Sequence, residues 1–193
     1  CISYEDAVIL LYNMLDAKCV NCFGSDKYSF GKGFMEEYLN LETAQGVVTS
    51  NSVTSLYSPD GAVSKGYLNI DENLYNFVDL KTVTELDSLL GKRVSVYYDI
   101  DEPDMGKAVA ALDDYNEYLN IRAEDIENYN TAENRLYYSD DGKVRHIDIP
   151  MEAKLIFNGS AVDYAHDKKL MFEPDSGEIT FLKNSKGSEW NVI

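Results

Sequence analysis

The sequence predicts an α+β fold that is mainly β, in which short N-terminal helices precede small antiparallel barrel or meander units. Two observations indicate the β character. Residues 93–98 alternate between apolar and polar side chains, as half-buried strands do, and turn-forming residues recur about every 8–12 residues after residue 45, as in barrels and sandwiches. A third observation indicates a helix at the start, because Val8, Leu11 and Leu15 lie at the spacing of one helical face.

The first predicted segment is a helical entry over residues 1–44. Ser3 is followed three residues later by Asp6, which approximates a capping box and predicts that a helix starts there. This helix is expected to end before a Gly/Ser/Asn-rich loop over residues 18–32. A second short helix is expected over residues 34–41.

A β-rich, barrel-like unit is predicted over residues 45–126. Its clearest feature is a hairpin formed by residues 93–98 and 107–112, and a short helix is expected over residues 83–90. Residues 53–57 are expected to extend or pair with the strand before them. The other expected strands are residues 46–49, 66–70, 75–78 and 118–121.

The remaining segment, residues 127–193, is predicted to form a β-meander. Asn158 followed by Gly159 is a common tight-turn pair, and an Asp-Asp-Gly turn occupies residues 140–142. The expected strands are residues 135–138, 144–149, 153–157, 170–172, 179–183 and 190–193.

Charge and hydropathy exclude several partners. The 193 residues contain 34 acidic and 17 basic side chains, which gives a formal net charge of −17. Nucleic-acid binding requires clustered Lys and Arg, and so does electrostatic docking on anionic lipid, so neither is expected. A membrane span is not expected either, because no window approaches the roughly 18–20 apolar residues that one requires.

The strongest candidate for a ligand site is an acidic turn in which Asp99, Asp101 and Asp104 are candidate calcium ligands. Clustered carboxylates suit Ca²⁺, which prefers oxygen ligands. The turn does not fit an EF-hand loop that starts at Asp99, because the fifth position is Pro103. A solvated hairpin tip is therefore favoured over a calcium site, and no other cofactor is expected.

No catalytic residue is predicted, and the protein is not expected to be an enzyme. The sequence has no G-x-S-x-G motif and no glycine-rich phosphate loop. Cys19 and Cys22 form a C-x-x-C motif, for which half a zinc site, a redox pair and a local disulfide remain open. A loop with two free or mutually bridged thiols is favoured. His146 is interpreted as a strand-face residue and His166 as an exposed loop residue.

Several motifs resemble one family. Residues 2–17 have a Ser-x-Glu-Asp start and a Leu-Tyr-Asn-x-Leu finish, and residues 89–98 read Leu-Leu-Gly-x-x-Val-x-Val-Tyr-Tyr. Residues 154–159 end in Phe-Asn-Gly, and residues 174–179 read Pro-x-x-Gly-x-Ile. Together these segments resemble the end of an S-layer homology (SLH) repeat and the β-rich region that follows such repeats in exported proteins of Gram-positive anaerobes.

The resemblance implies a non-catalytic structural module of an exported surface protein, located in the cell wall or surface layer. Its implied partners are neighbouring domains of the same chain, lateral contacts with other surface proteins, and cell-wall polymer through repeats outside this segment. Related chains often have an Asp-x-Asp-Gly turn where residues 184–187 read Asn-Ser-Lys-Gly, so no ion-binding role is implied there. The alternative function is a carbohydrate- or calcium-binding surface module.

Neither end of the sequence resembles an ordinary domain terminus. The chain starts at Cys1, close to a predicted helix, and residues 189–193 read like the inside of a strand. Domains usually end in poorly ordered polar residues, so a segment of a longer polypeptide is expected. A lipid-anchored Cys1 is the alternative, although the flexible tether that normally follows such a cysteine is absent from the sequence.

Overall fold

The structure is a computed structural model that describes residues 3–15, 17–24, 27–78, 83–162, 171–184 and 191–192. It is mainly β, as predicted, with small antiparallel sheets and, within the described residues, the helices α1 (Tyr4–Leu15) and α2 (Phe34–Leu39). The strands are β1 (Lys18–Cys22), β2 (Tyr28–Gly33), β3 (Leu41–Ser50), β4 (Tyr67–Ile70), β5 (Asn73–Asn76), β6 (Arg93–Asp99), β7 (Gly106–Ala111), β8 (Glu117–Arg122), β9 (Ile126–Asn130), β10 (Arg135–Asp140), β11 (Lys143–Asp148), β12 (Leu155–Phe157), β13 (Ser160–Val162), β14 (Glu178–Lys183) and β15 (Asn191–Val192).

Helix α1 begins as its capping residues predict. The Ser3 hydroxyl accepts the backbone N–H of Asp6 at 3.0 Å and donates to the Asp6 carboxylate at 2.6 Å. These bonds satisfy part of the unpaired backbone at the helix start. No described residue of α1 is buried, however.

Residues 18–22 and 28–33 form two paired antiparallel strands, so the prediction of a loop there is wrong. Strands β1 and β2 place Val20 opposite Phe30 and Cys22 opposite Tyr28. Cross-strand pairs of aromatic and β-branched residues stabilise strands. This stabilisation outweighs the effect of the Gly, Ser and Asn residues that predict a loop.

The first β unit (residues 41–112) contains a five-stranded sheet in the order β5-β4-β3-β6-β7. Its core includes Leu68, Phe77 and Val96, each 0% exposed. Gly106 lies against the Phe77 ring, where an added Cβ would be 2.2 Å from a ring carbon, so a glycine is needed for this close approach. The predicted helix over residues 83–90 is a 3₁₀ helix, Val83–Leu89.

Residues 53–57 do not form the expected strand beyond one isolated bridge, Ser50 with Ser55. The side-chain oxygen of Asn51 accepts the backbone N–H groups of Val53 at 2.9 Å and Thr54 at 2.8 Å. An asparagine that bonds its own following backbone competes with strand pairing. The result is a folded loop in place of a strand.

The second β unit (residues 117–192) contains three small sheets, in the orders β11-β10-β9, β12-β13 and β15-β14-β8. They surround a second core that includes Leu136, Phe172 and Phe181, each 0% exposed. Strand β8 pairs with β14. It therefore belongs to the second unit, whereas the division predicted at residue 126 assigns it to the first.

All described sheets are open, so neither unit is a closed barrel. Strands β9 and β13 were not predicted, and Met171 and Phe172 are helical instead of extended. The Asn158–Gly159 turn is confirmed: both residues have positive φ, 49° and 79°, as the tightest hairpin turns require.

Candidate functional site

The acidic turn (residues 99–106) connects β6 to β7 and contains the predicted calcium ligands. The side-chain amide of Asn40 donates to Asp99 at 3.1 Å and to Asp101 at 2.8 Å. The backbone N–H of Asp101 also donates to the Asp99 carboxylate at 3.0 Å. Asn40 is the residue that ends α2, with a left-handed φ of 54°, so these bonds tie the turn to the entry region.

Neighbouring donors favour the ionised form of Asp99. The backbone N–H of Asp101 and then the nearby Lys107 ammonium, 3.5 Å away, hold the pKa of the Asp99 carboxyl below its ordinary value. Asp104 is exposed, and its backbone carbonyl accepts the N–H of Asn76 at 2.7 Å. The turn is therefore organised by amide donors and one lysine.

The calcium prediction concerns Asp99, Asp101 and Asp104. In the part of the chain that the structure describes, no group of three or more His, Cys, Asp or Glu side chains could hold a metal ion as arranged. Two of the three carboxylates already accept amide N–H groups. Calcium binding here stays a prediction, to be tested by chelation.

Cys19 and Cys22 lie in β1, where strand geometry separates them. Residues three apart in a strand point to opposite faces; Cys19 is half-buried, Cys22 is exposed, and both thiols are free. The motif therefore has no local disulfide in this structure. His146 lies on the exposed face of β11, with its ring 5.9 Å from that of Tyr137, whereas His166 is outside the described residues.

A surface cleft of about 560 Å³ lies between the loop at residues 56–59 and residues 151–162. Its rim carries Tyr57, which is 68% exposed, and the Lys154 ammonium lies 4.8 Å from the centre of that ring. Sequence reasoning missed this cleft, because its two walls are distant in the chain and neither wall has a motif.

A set of hydrogen bonds, here called the junction, joins the two β units. The Arg93 guanidinium donates to the Asn184 carbonyl at 3.1 Å, and the Asn184 side chain donates to the Gly91 carbonyl at 2.9 Å. Asn116, in the connection between the units, accepts the Arg93 N–H and donates to the Arg93 carbonyl, both at 2.8 Å. Each unit thus bonds the backbone of the other.

Other proteins give no further guide to the site. Comparison with protein-family models, curated proteins and solved structures found no match to the chain. The SLH resemblance stays a prediction that rests on the sequence motifs. Within the described residues, no helix has the length and apolar character needed to cross a membrane.

Proposed function

We propose that the chain is a non-catalytic structural module of an exported, cell-wall-associated surface protein of the S-layer type. Its role is to build or space a surface layer through stable folding and lateral contacts. Its partners are neighbouring domains, other surface proteins, and cell-wall polymer held by SLH repeats outside this segment.

The observation that carries the proposal is the junction. A spacer has to keep its units in a fixed orientation, and the Arg93 and Asn184 side chains bond backbone groups across the boundary between two separate cores. Asn116 bonds the Arg93 backbone from the connection between the units. Side-chain bonds to backbone atoms are directional, so they restrict rotation of one unit against the other. The SLH-like motifs support the extracellular setting.

The test is the location of the native protein. An antibody raised against this segment is applied to cytosolic, membrane, wall and culture fractions of the cells that produce it. We expect the signal in the wall fraction, released by agents that extract wall polymer. A signal confined to the cytosol would overturn the proposal.

Carbohydrate binding is a second candidate function, and the cleft at Tyr57 favours it. An exposed aromatic ring is a surface on which a sugar ring can stack. The Lys154 ammonium already lies over the Tyr57 ring, which competes with such stacking. Calorimetric titration with purified wall polysaccharide tests this function: binding that Tyr57→Ala abolishes and Tyr118→Ala leaves intact would establish it.

Calcium binding is tested separately by thermal unfolding with and without a chelator. The amide donors on Asp99 and Asp101 stabilise the turn without a cation, so we expect the melting temperature to be unchanged. A fall on chelation that Asp101→Asn removes would establish calcium at the acidic turn.

A further inference from the structure

The sheet formed by β1 and β2 has an apolar face that lies in solvent. Val20 pairs with Phe30, and Cys22 pairs with Tyr28. Directly opposed residues share a face of a sheet, so these four side chains form one surface, here called the β1–β2 face. In agreement, the centroids of the Tyr28 and Phe30 rings are 5.8 Å apart. All four residues are exposed, and the two rings are 67% and 65% exposed.

Helix α1 has a second apolar surface that is not buried. Residues 8–12 read Val-Ile-Leu-Leu-Tyr, and at 100° per residue five consecutive positions cover every side of a helix. A helix that is apolar all round is normally buried, yet all five residues are exposed. The half-buried residues of α1 are Ala7 and Leu15, so Ile9 and Tyr12 lie on the more open side.

Neither element has the support that it needs to be stable. A two-stranded sheet is marginally stable in water unless it packs on further strands or on a helix. A helix of 12 residues is also marginal without tertiary packing of an apolar side. A helix laid on a sheet buries both surfaces, but α1 contacts α2 and leaves the β1–β2 face of its own chain exposed.

The exposed area is as large as a stable dimer requires. Phe and Tyr have about 150–250 Å² of surface each, so Tyr12, Tyr28 and Phe30, each more than 60% exposed, leave roughly 100–160 Å² apiece in water. With the aliphatic residues of α1 and Val20, the total is on the order of 800 Å², which is what a standard stable interface takes from each partner.

The distribution of charge suits a second copy at these surfaces. The whole chain has a net charge of −17, so two copies repel each other over most of their surface. Residues 7–15 have no charge, and the three lysines and three acids of residues 16–36 cancel. Only Glu5 and Asp6, in the first turn of α1, are uncompensated. A basic partner would be attracted to the acidic remainder of the chain instead.

We propose that two copies of this chain form a dimer in which α1 of each copy covers the β1–β2 face of the other. The contact is reciprocal, so it closes as a symmetric pair, and each copy buries both of its unsupported surfaces at once. Below the dissociation constant the chain is a monomer with α1 exposed. The inference rests on the proposed function for its setting and deepens it by naming one lateral contact.

The first test is sedimentation velocity of the purified chain over a range of concentrations. We expect monomers at low concentration, dimers at high concentration and no larger species. Ile9→Glu and Phe30→Glu each place a charge in an apolar contact and are expected to raise the dissociation constant at least about tenfold. Val144→Glu adds the same charge at an exposed position of β11 and is the matched control, which should dimerise like the unmodified chain.

Circular dichroism shows whether each variant is folded. Phe30 is part of a cross-strand pair, so its replacement could unfold the two strands. Ile9→Glu remains a valid test in that event, because Ile9 is exposed on α1 and glutamate is a good helix former.

A second test shows which surface is covered. Cys22 has a free, exposed thiol on the β1–β2 face, and Cys1→Ser with Cys19→Ser leaves it as the only thiol in the chain. Its rate of reaction with excess small maleimide is measured at several protein concentrations. We expect the rate to fall as the concentration passes the dissociation constant, and Ile9→Glu to remove this dependence.

Three results would overturn the proposal. The first is a chain that is monomeric at every concentration. The second is a dimer that Ile9→Glu leaves intact, or in which Cys22 reacts as fast as in the monomer, because the contact then lies elsewhere. The third is a Cys22 thiol that reacts slowly at every concentration, which would show that α1 covers the face of its own chain.

The two proposals fail separately. Wall location without dimers would remove the contact between α1 and the β1–β2 face and leave the proposed function standing. Dimers of a protein confined to the cytosol would do the reverse.

Discussion

The two β units bury apolar side chains, whereas α1 in the entry region (residues 3–40) exposes them. Phe77 and Phe181, one from each core, are 0% exposed, whereas Ile9 and Leu11 of α1 are 59% and 62% exposed. Capping and periodicity are enough to define α1 as a helix, but they supply no tertiary contact. Most helical stability in proteins comes from packing one apolar face, so the two regions should respond very differently to the same kind of substitution.

The largest expected difference is between Phe77→Ala and Leu11→Ala. Removing a fully buried phenylalanine costs about 3–5 kcal/mol in the free energy of unfolding, whereas removing an exposed leucine costs less than about 0.5 kcal/mol. Urea unfolding followed by tyrosine fluorescence measures both. A loss from Leu11→Ala as large as that from Phe77→Ala would show that α1 is covered in solution.

The junction gives the next largest effect. Asn184→Ala removes the donor to the Gly91 carbonyl and is expected to cost about 1–2 kcal/mol, since Asn184 is half-buried. Because the bond joins the two units, urea unfolding should also become less cooperative, with a lower slope. Asn120→Ala, at an exposed position of β8, is the matched control and should change neither quantity; an unchanged slope for Asn184→Ala would contradict the coupling.

Elements with a local cause could be predicted from the sequence. The Ser3–Asp6 cap and the Asn158–Gly159 turn depend on residues adjacent in the chain, and the β6–β7 hairpin follows from alternation on both sides of one turn. The pairing of β1 with β2 is not predicted, because the Gly, Ser and Asn content of this segment indicates a loop. The fold of residues 53–57 was missed because it depends on one side chain, Asn51.

The candidate site was predictable only in part. The sequence located the acidic turn and its carboxylates, but the donors that occupy them come from Asn40, which is distant in the chain. The junction could not be predicted for the same reason, because no local pattern relates Arg93 to Asn184. Long-range contacts of this kind are set by how the sheets pack, and a single sequence does not record that.

A smaller effect, confined to the entry region, is expected for Ser3→Ala. The substitution removes the hydroxyl that accepts the Asp6 N–H, and loss of an N-cap costs about 1 kcal/mol of helix stability. Because α1 buries no residue, this loss should appear as faster hydrogen exchange in the first turn of α1. The urea midpoint of the β units should not move; a shift in that midpoint would contradict the separation of the two regions. Ser3→Thr keeps the hydroxyl and is the matched control.

The smallest expected effect is the acid dependence of stability that Asp148 contributes to the second β unit. The Arg135 guanidinium donates to the Asp148 carboxylate at 2.5 Å and holds the pKa of that carboxyl below its ordinary value. A depressed folded pKa means that this contribution is present above the unfolded pKa of about 3.9 and is lost as the pH falls through the folded pKa.

Asp148→Asn should therefore lower the melting temperature slightly near neutral pH and flatten its decline in acid. The effect is small because the Asp148 side chain is 64% exposed, and exposed ion pairs contribute little. Melting curves from about pH 5 to about pH 2 measure it, with Asp60→Asn at an exposed turn position as the control. Equal acid dependence in the two variants would mean that the Arg135–Asp148 pair does not stabilise the second unit.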